Sequence, residues 1–555
     1  MSNVACGGER DGLSDTSAVV TRSSRRRHAV LLGVILLLGL ALRLPTFGRQ
    51  LLSNDETNYA LTADALGRGD VLYRDVVDHK PPAIYDVYRA SFRILGPYNT
   101  QGAHLLVVAA VLLCGFGLAR AARHMTTDGR AGWLTALLFV VFSTTMPDFD
   151  ALAANCELFL LPAQAVAFAW LLQGLDAPGP RPWRTWFGTG VLVGVAVAFK
   201  FQGATFLAVI TVALALEVVA RRRSVPGAAA GLAVALIGCA IVPALYVLRA
   251  WLDGGLDAMW YWLRFNRSYV DAGPRGLEAV RLGLLRTALL GGAAFVPYAF
   301  GAAGAWQTAR KWLSRRGAGA AGGEPEAPLA ARLLALTWLA SSAIGLAAGA
   351  RFFGHYFHLV LPPLCLLAAG PVLRAWDERS RLRPVIAMLI VVPAIVALAL
   401  STVLRAAVVG RLDPKPPYET VAARLRQISD PRDRVFVWGD STQIYVFAER
   451  PLGTRFSFCD YLTGISPGTR TQTGEADPTP NVVWAAWDML FDDLDRRQPR
   501  WLVDTAAAGW DAYGPFQLAR YPRLASYVRA HYRERERVAG VVLYERDFVL
   551  TPSRR

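Results

Sequence analysis

The chain reads as a mainly α, polytopic membrane protein with about 11 transmembrane helices, interfacial helices in its first external loop and a small α/β domain at its C-terminal end. Three observations predict this. Of 555 residues, 54% are hydrophobic and the mean hydropathy is +0.30, which a soluble domain of this size rarely sustains. Several apolar runs approach the ~20 residues needed to cross a bilayer. The arginines gather in short loops between those runs, as the positive-inside rule expects of cytoplasmic loops.

Residues 1–27 are rich in Gly, Ser, Asp and Arg and are expected to be a disordered cytoplasmic N-terminus. The basic Arg25-Arg26-Arg27 then precedes an apolar run at about 28–45. No small-residue cleavage site follows it, so it is expected to be an uncleaved first helix with the N-terminus in the cytoplasm. The stretch after it, Leu51–Pro82, is the first external loop. Ser53-Asn54-Asp55-Glu56 matches a capping box. The helix it opens, ending at Gly67, is expected to lie in the membrane interface, as is a second one over Ala83–Leu95. Further spans are expected at about 102–121, 131–146, 158–174, 186–199, 203–220, 226–249, 283–306, 332–350, 357–374 and 384–405. The loops assigned inside are basic, for example Arg221-Arg222-Arg223 and Arg374–Arg383, whereas 147–157, assigned outside, has no Lys or Arg. The external loop with Trp251, Trp260, Tyr261, Trp262, Arg264 and Arg267 is aromatic, as the headgroup region favours. From about 411 the composition turns soluble, with strand-like runs at Arg434–Gly439 and Trp501–Asp504. The expected division is therefore 28–405 as the membrane domain and 406–555 as an extracytoplasmic α/β domain.

The formal charge of +16 does not signal nucleic acid, because its arginines are loop residues of a membrane protein. None of the six cysteines forms a CxxC pair, which argues against zinc or redox chemistry. Cys156 and Cys459 both fall outside and are candidates to pair, a matter of geometry that spacing leaves open.

An Asp-Glu pair (Asp55, Glu56) in a large first external loop, the Lys80-Pro81-Pro82 turn, and the run Arg351-Phe352-Phe353-Gly354-His355-Tyr356 before Pro362-Pro363 resemble the family 39-type glycosyltransferases of GT-C fold. Their relatives include the protein O-mannosyltransferases and the aminoarabinose transferase of lipid A. The resemblance covers about 28–405. It implies transfer of a sugar from a polyprenyl-phosphate carrier to an extracytoplasmic acceptor, with inversion, by an enzyme of the plasma membrane. The partners implied are the lipid-linked donor, the acceptor and membrane lipid.

Such chemistry needs a base for the acceptor hydroxyl, cations for the departing phosphate and a groove for the lipid tail. The resemblance points to Asp55 as the base; near a helix N-terminus it is favoured in the ionised form a base requires. Glu56 is a second candidate, with capping as its structural alternative. By the same resemblance Glu157 is an acid supporting donor or acceptor. Lys80 is expected to hold the phosphate, presented by the two prolines. Lys200, Arg264, Arg351, His355 and Tyr356 are further candidates for phosphate, since guanidinium forks match its oxygens; each is otherwise an interfacial anchor. Asp148-Phe149-Asp150 spells DxD, the metal motif of nucleotide-sugar enzymes, but on the side where nucleotide sugars are scarce. No cofactor and no metal site is expected, because lysine and arginine suffice to neutralise a lipid phosphate; a divalent metal at DxD is the alternative. The rival classes are a transporter or flippase of lipid-linked saccharides, a membrane scaffold, and a polysaccharide polymerase or ligase. A transporter favours midplane charges and internal repeats, neither of which is visible.

Overall fold

The computed structural model describes residues 12–47, 53–146, 149–173, 180–271, 273–317, 327–399, 416–465 and 478–547. The membrane part is helical throughout. Its helices are α1 (Gly12–Phe47), α2 (Asn54–Gly67), α3 (Ala83–Leu95), α4 (Gln101–Ala122), α5 (Arg130–Phe142), α6 (Cys156–Gln173), α7 (Trp183–Phe199), α8 (Leu207–Val219), α9 (Val225–Leu252), α10 (Leu256–Leu263), α11 (Phe265–Asp271), α12 (Gly276–Ala293), α13 (Phe295–Gly317), α14 (Ala327–Ala347), α15 (Leu361–Glu378) and α16 (Arg383–Ala399). Among the described residues seven helices are long and apolar enough to cross a membrane, or eight if one bent pair is a single span. The expected spans at 131–146, 186–199 and 357–374 correspond to the shorter or less apolar α5, α7 and α15.

Three local expectations differ from the structure. The helix of α1 begins at Gly12, inside the segment expected to be disordered; no proline interrupts it before Pro45, so helix propagates back from the apolar run. Residues 1–11 lie outside the described residues. The run expected as one helix over 283–306 is two, α12 and α13, bent by 108° at Ala294. Pro297 in the first turn of α13 has no N–H to carry a helix across the break. Finally, α2 is not an amphipathic helix with one face left uncovered. Glu56 through Ala65 are all buried. Its polar residues are met by protein partners: Thr57 by Thr442, Asn58 by Asp78 and Ser457, Asp64 by Tyr98 and by Arg68 one turn on. The second expected interfacial helix, α3, does bury one face (Ile84, Tyr85, Tyr88) and exposes Ile94.

Helices α7 and α9 approach closely enough for backbones to touch. A Cβ on Gly190 would sit 2.1 Å from the Ala235 carbonyl oxygen, and one on Gly194 would sit 2.4 Å from that of Cys239. Small residues at such spacing are the usual means of close helix packing in lipid. This pair frames the hairpin that ends at Lys200.

The C-terminal domain contains α17 (Tyr418–Ile428), β1 (Val435–Trp438), α18 (Gln443–Ala448), α19 (Asp460–Thr463), α20 (Trp484–Arg497), β2 (Trp501–Asp504), α21 (Pro522–His531), β3 (Tyr532–Val538) and β4 (Val541–Arg546). The sheet order is β1-β2-β4-β3; β1 and β2 run parallel, and β4 is antiparallel to both its neighbours. The expected strands are β1 and β2, each buried along its length. The domain packs on the segment 53–80, so it shares a face of the molecule with the first loop. Cys156 and Cys459 are free thiols. Cys156 lies against Tyr59 in the membrane part, while Cys459 is turned into the C-terminal domain, where its sulfur meets the Gly439 N–H and the Val437 carbonyl.

Replacing Gly194 by Val is expected to destabilise the protein by about 1–3 kcal/mol through overpacking, read as a fall in thermal unfolding temperature in detergent; unchanged unfolding would mean that α7 and α9 are not in backbone contact.

Candidate active site

Side chains from five separate stretches converge beside the N-terminus of α2. Ser53 caps this helix, its hydroxyl accepting from the Glu56 N–H at 3.3 Å. The return half of the capping box is absent, because the Glu56 carboxylate turns inward. It accepts from the Ala154 N–H at 2.8 Å and meets His104 Nε2 at 3.1 Å. Glu56 is fully buried and ties α2 to α4 and to the 149–155 loop. That loop is braced from beneath: the Arg43 guanidinium, at the end of α1, reaches the Ser143 and Leu152 carbonyls, and His358 donates through Nε2 to the Ala151 carbonyl at 2.7 Å.

Asp55, next in sequence, points the other way. Its carboxylate accepts from Lys80 Nζ at 2.8 Å. Pro81 and Pro82 lead from Lys80 directly into α3, and the Lys80 carbonyl accepts from the Tyr73 hydroxyl at 2.7 Å, so the turn is fixed on both sides. The ammonium also lies 4.9 Å from the centre of the Tyr59 ring. Burial acts to raise the Asp55 carboxyl, but Lys80, His355 and Lys200 together outweigh it and hold it well below the usual carboxylate range. Burial opposes the Lys80 charge in turn, and Asp55 and Asp78 outweigh that, raising its pKa.

Beside this pair stands a second. Lys200, at the tip of the α7–α8 hairpin, bonds the Glu157 carboxylate in the first turn of α6 and lies 4.1 Å from the centre of the Tyr356 ring. His355 Nε2 is 3.8 Å from Glu157, and its Nδ1 bonds the Asp150 carboxylate. Burial disfavours the imidazolium, yet Asp150 and Glu157 prevail and raise the His355 pKa above the ordinary histidine value. The result is a patch of alternating charge: Asp55, Glu157 and Asp150 against Lys80, Lys200 and His355. Its three carboxylates differ in access. The Asp55 side chain is 33% exposed, that of Asp150 24% and that of Glu157 only 1%, so Asp55 is the most open to an incoming molecule, and Asp150 is engaged by His355.

The sequence-predicted residues divide accordingly. Asp55, Lys80, Glu157, Lys200, His355 and Tyr356 are brought together. Glu56 is adjacent but faces the protein interior. Arg351 is buried at the start of the segment that leads to His355. Arg264 stands at the α10–α11 junction, exposed, with its guanidinium over the Tyr261 ring at 4.2 Å. Of the DxD motif, Asp150 bonds His355 and accepts from Asn155, while Asp148 lies outside the described residues. Among the described residues no group of three or more His, Cys, Asp and Glu side chains is arranged to hold a metal ion. Asp150 as the partner of His355 was missed, and its signal in the sequence was only its place in the same predicted external layer.

A groove of about 590 Å³ runs between α13 and α14, lined by Tyr298, Trp306, Leu339, Leu346, Phe357 and Val360. Phe357 follows His355 by two residues, so the apolar groove lies near the charged patch. Its size is within the range of pockets that enclose small ligands.

The family model for dolichyl-phosphate-mannose-protein mannosyltransferases matches residues 79–246, a stretch containing Lys80, Glu157 and Lys200. In three dimensions the chain is similar to ArnT from Cupriavidus metallidurans bound to undecaprenyl phosphate, with a TM-score of 0.58 at 16% identity over 95% of this chain and 99% of that one. The chain has the GT-C fold. It is also similar to the archaeal oligosaccharyltransferase AglB from Archaeoglobus fulgidus in complex with an inhibitory peptide and a dolichol-phosphate, with a TM-score of 0.51 at 15% identity over 96% of this chain and 75% of that one. At these identities the likeness is one of fold. No curated protein sequence matches this chain. The expected GT-C architecture, a multi-pass membrane domain followed by a smaller domain with a sheet, is therefore borne out.

Lys200→Met is expected to destabilise the protein by about 3–5 kcal/mol, because it leaves Glu157 buried without its main counter-charge. The double variant Lys200→Met/Glu157→Gln should recover most of that loss in the same thermal unfolding assay; equal losses in both would show that the two side chains are not coupled.

Proposed function

We propose that this protein is an inverting glycosyltransferase that moves a sugar from a polyprenyl-phosphate carrier to an acceptor hydroxyl on the extracytoplasmic side of the plasma membrane. The observation that carries this reading is the exposed Asp55 carboxylate held against Lys80 2.8 Å away, beside a second cation, Lys200, and near an apolar groove. The similar proteins support it: the matching family model is that of dolichyl-phosphate-mannose-protein mannosyltransferases, and the two similar structures are complexes with a dolichol-phosphate and with undecaprenyl phosphate.

In the proposed reaction the lipid phosphate takes Lys80 and Lys200 as partners, and the isoprenoid tail lies along the α13–α14 groove. Ion-paired lysines already in place suit a phosphodiester that gains a second negative charge as the sugar leaves, because they need little reorganisation to meet it. Asp55, loosened from Lys80, accepts the proton of the acceptor hydroxyl. The oxygen attacks the anomeric carbon as the bond from that carbon to the phosphate oxygen breaks. The electron pair leaves with the phosphate, and the lysines neutralise it. Glu157 keeps Lys200 oriented, and Asp150 holds His355 in place and favours its charged form. No step requires a metal. The sidedness rests on the basic stretches: Arg120 and Arg123 at the end of α4, Arg181 and Arg184 at the start of α7, and Arg221–Arg223 between α8 and α9.

Purified protein given a labelled polyprenyl-phosphate sugar and a membrane extract as acceptor mixture should transfer the label. Asp55→Asn should lower turnover by about 10²–10⁴-fold in protein that still folds, and equal turnover in both would remove Asp55 as the base. Removing Lys80 tests the electrostatics. A carboxyl held low stays ionised as pH falls through the ordinary carboxylate range, so wild-type kcat/KM has no acid limb from Asp55 in that range. In Lys80→Met burial prevails, the Asp55 pKa rises, and an acid limb should appear at higher pH than in wild type; an unmoved limb would contradict the pairing.

A further inference from the structure

The two halves of the Asp55–Lys80 pair come from different elements, and the same short stretch of the C-terminal domain grips both. On the α2 side, Asn54 donates through Nδ2 to Asp440 at 3.0 Å and accepts from Gln443 Nε2 at 2.6 Å. One turn on, the hydroxyls of Thr57 and Thr442 are 2.6 Å apart. These contacts flank Asp55 in sequence. On the Lys80 side, the Val77 N–H donates to the Arg455 carbonyl at 2.9 Å, and His79 Nδ1 meets the Tyr461 hydroxyl at 3.0 Å. Between the two, Asn58 donates to Asp78 and accepts from Ser457, each at 2.6 Å.

The gripping stretch, 440–461, is itself anchored. It leaves the C-terminal end of β1 through Gly439, whose φ of +142° suits glycine, and it is tied back by the Cys459 N–H to the Gly439 carbonyl at 3.1 Å. Arg455 is locked to the buried Asp493 of α20 by its own N–H and by its guanidinium, at 2.7, 2.8 and 3.0 Å. A rigid body thus touches residues 54 and 57 on one side and 77 and 79 on the other.

We infer that the C-terminal domain is a positioning element of the catalytic site, in which Asp440 and Gln443 fix the base Asp55 through Asn54, and Tyr461 fixes the phosphate-binding Lys80 through His79. This inference rests on the reading of Asp55 and Lys80 given above. None of the three residues touches the reacting atoms. Each acts through its neighbour, and misplacing a catalytic group by about 1 Å costs up to ~10²-fold. The two arms of the clamp should therefore be separable in kinetics, since one serves the base and the other the donor's phosphate.

The test uses the full chain in lipid nanodiscs, with a labelled polyprenyl-phosphate sugar as donor. Asp440→Ala should lower kcat by about 10–100-fold and leave the donor KM within about twofold. Tyr461→Phe should raise the donor KM several-fold with a smaller change in kcat. Asp440→Asn keeps an oxygen acceptor for Asn54 and should restore most of the kcat. A purely structural role would instead lower the fraction of active protein, with KM unchanged in every variant and no rescue by Asn; that pattern overturns the inference. A second arm needs no substrate. Amide hydrogen exchange over residues 53–60 should speed up in Asp440→Ala at unchanged thermal unfolding, and unchanged exchange there overturns the clamp. If wild type transfers no sugar from any lipid-linked donor, the transferase reading fails, and the exchange arm alone still decides whether the domain fixes α2.

Discussion

A carboxylate and an ammonium 2.8 Å apart, in a pocket that water only partly reaches, are the interaction on which the rest of this protein depends. Neither group is at rest there without the other: burial alone would raise the acid and lower the base. Each charge is kept because its partner is present, and the pair persists only while α2 and the 77–82 turn are held together. Much of the surrounding architecture serves that end. Glu56 and His104 seat α2 on α4, the two prolines set the exit of the turn, and the 149–155 loop is braced by Arg43 and His358.

The second pair, Lys200 with Glu157, shows why the chemistry falls to Asp55. Both carboxylates are paired with lysine, so charge alone does not separate them. Access does: Glu157 is enclosed at the start of a buried helix, whereas a third of Asp55 faces open space. A buried ion pair contributes little net stability but is costly to break from one side. Such a pair is well suited to hold a cation in readiness for a phosphate, because the lysine stays oriented without being neutralised. His355, whose pKa Asp150 and Glu157 raise against burial, stands on the same wall.

The elements carried by local pattern were legible in the sequence. Ser53 followed by Glu56 marked the start of α2, Lys80-Pro81-Pro82 marked the turn, and the apolar runs marked the spans. Strands β1 and β2 were legible as short β-branched and aromatic runs. What was not legible depended on residues distant in the chain. Asn54, Glu56, Thr57 and Asn58 look like the wet face of a surface helix, yet their partners stand 20 to 399 residues away. A period of 3.6 reports which residues share a face, not what covers it. For the same reason the sequence showed Asp150 only as part of a DxD motif and not as the partner of His355, and it did not show that Arg264 lies over Tyr261. The hairpin of β3 and β4 passed unnoticed because β3 (Tyr-Arg-Glu-Arg-Glu-Arg-Val) is charged on its exposed positions; the turn signal was Ala539-Gly540, both at positive φ.

The central claim is that Lys80 exchanges its bond to Asp55 for one to a lipid phosphate. The direct measurement is a structure by electron cryo-microscopy of the full chain in nanodiscs loaded with a polyprenyl phosphate. The account predicts phosphate oxygens within hydrogen-bond distance of Lys80 and Lys200, the tail between α13 and α14, and the Asp55 carboxylate turned to an open space beside the phosphate. A phosphate bound elsewhere, with the Asp55–Lys80 bond intact, would contradict it.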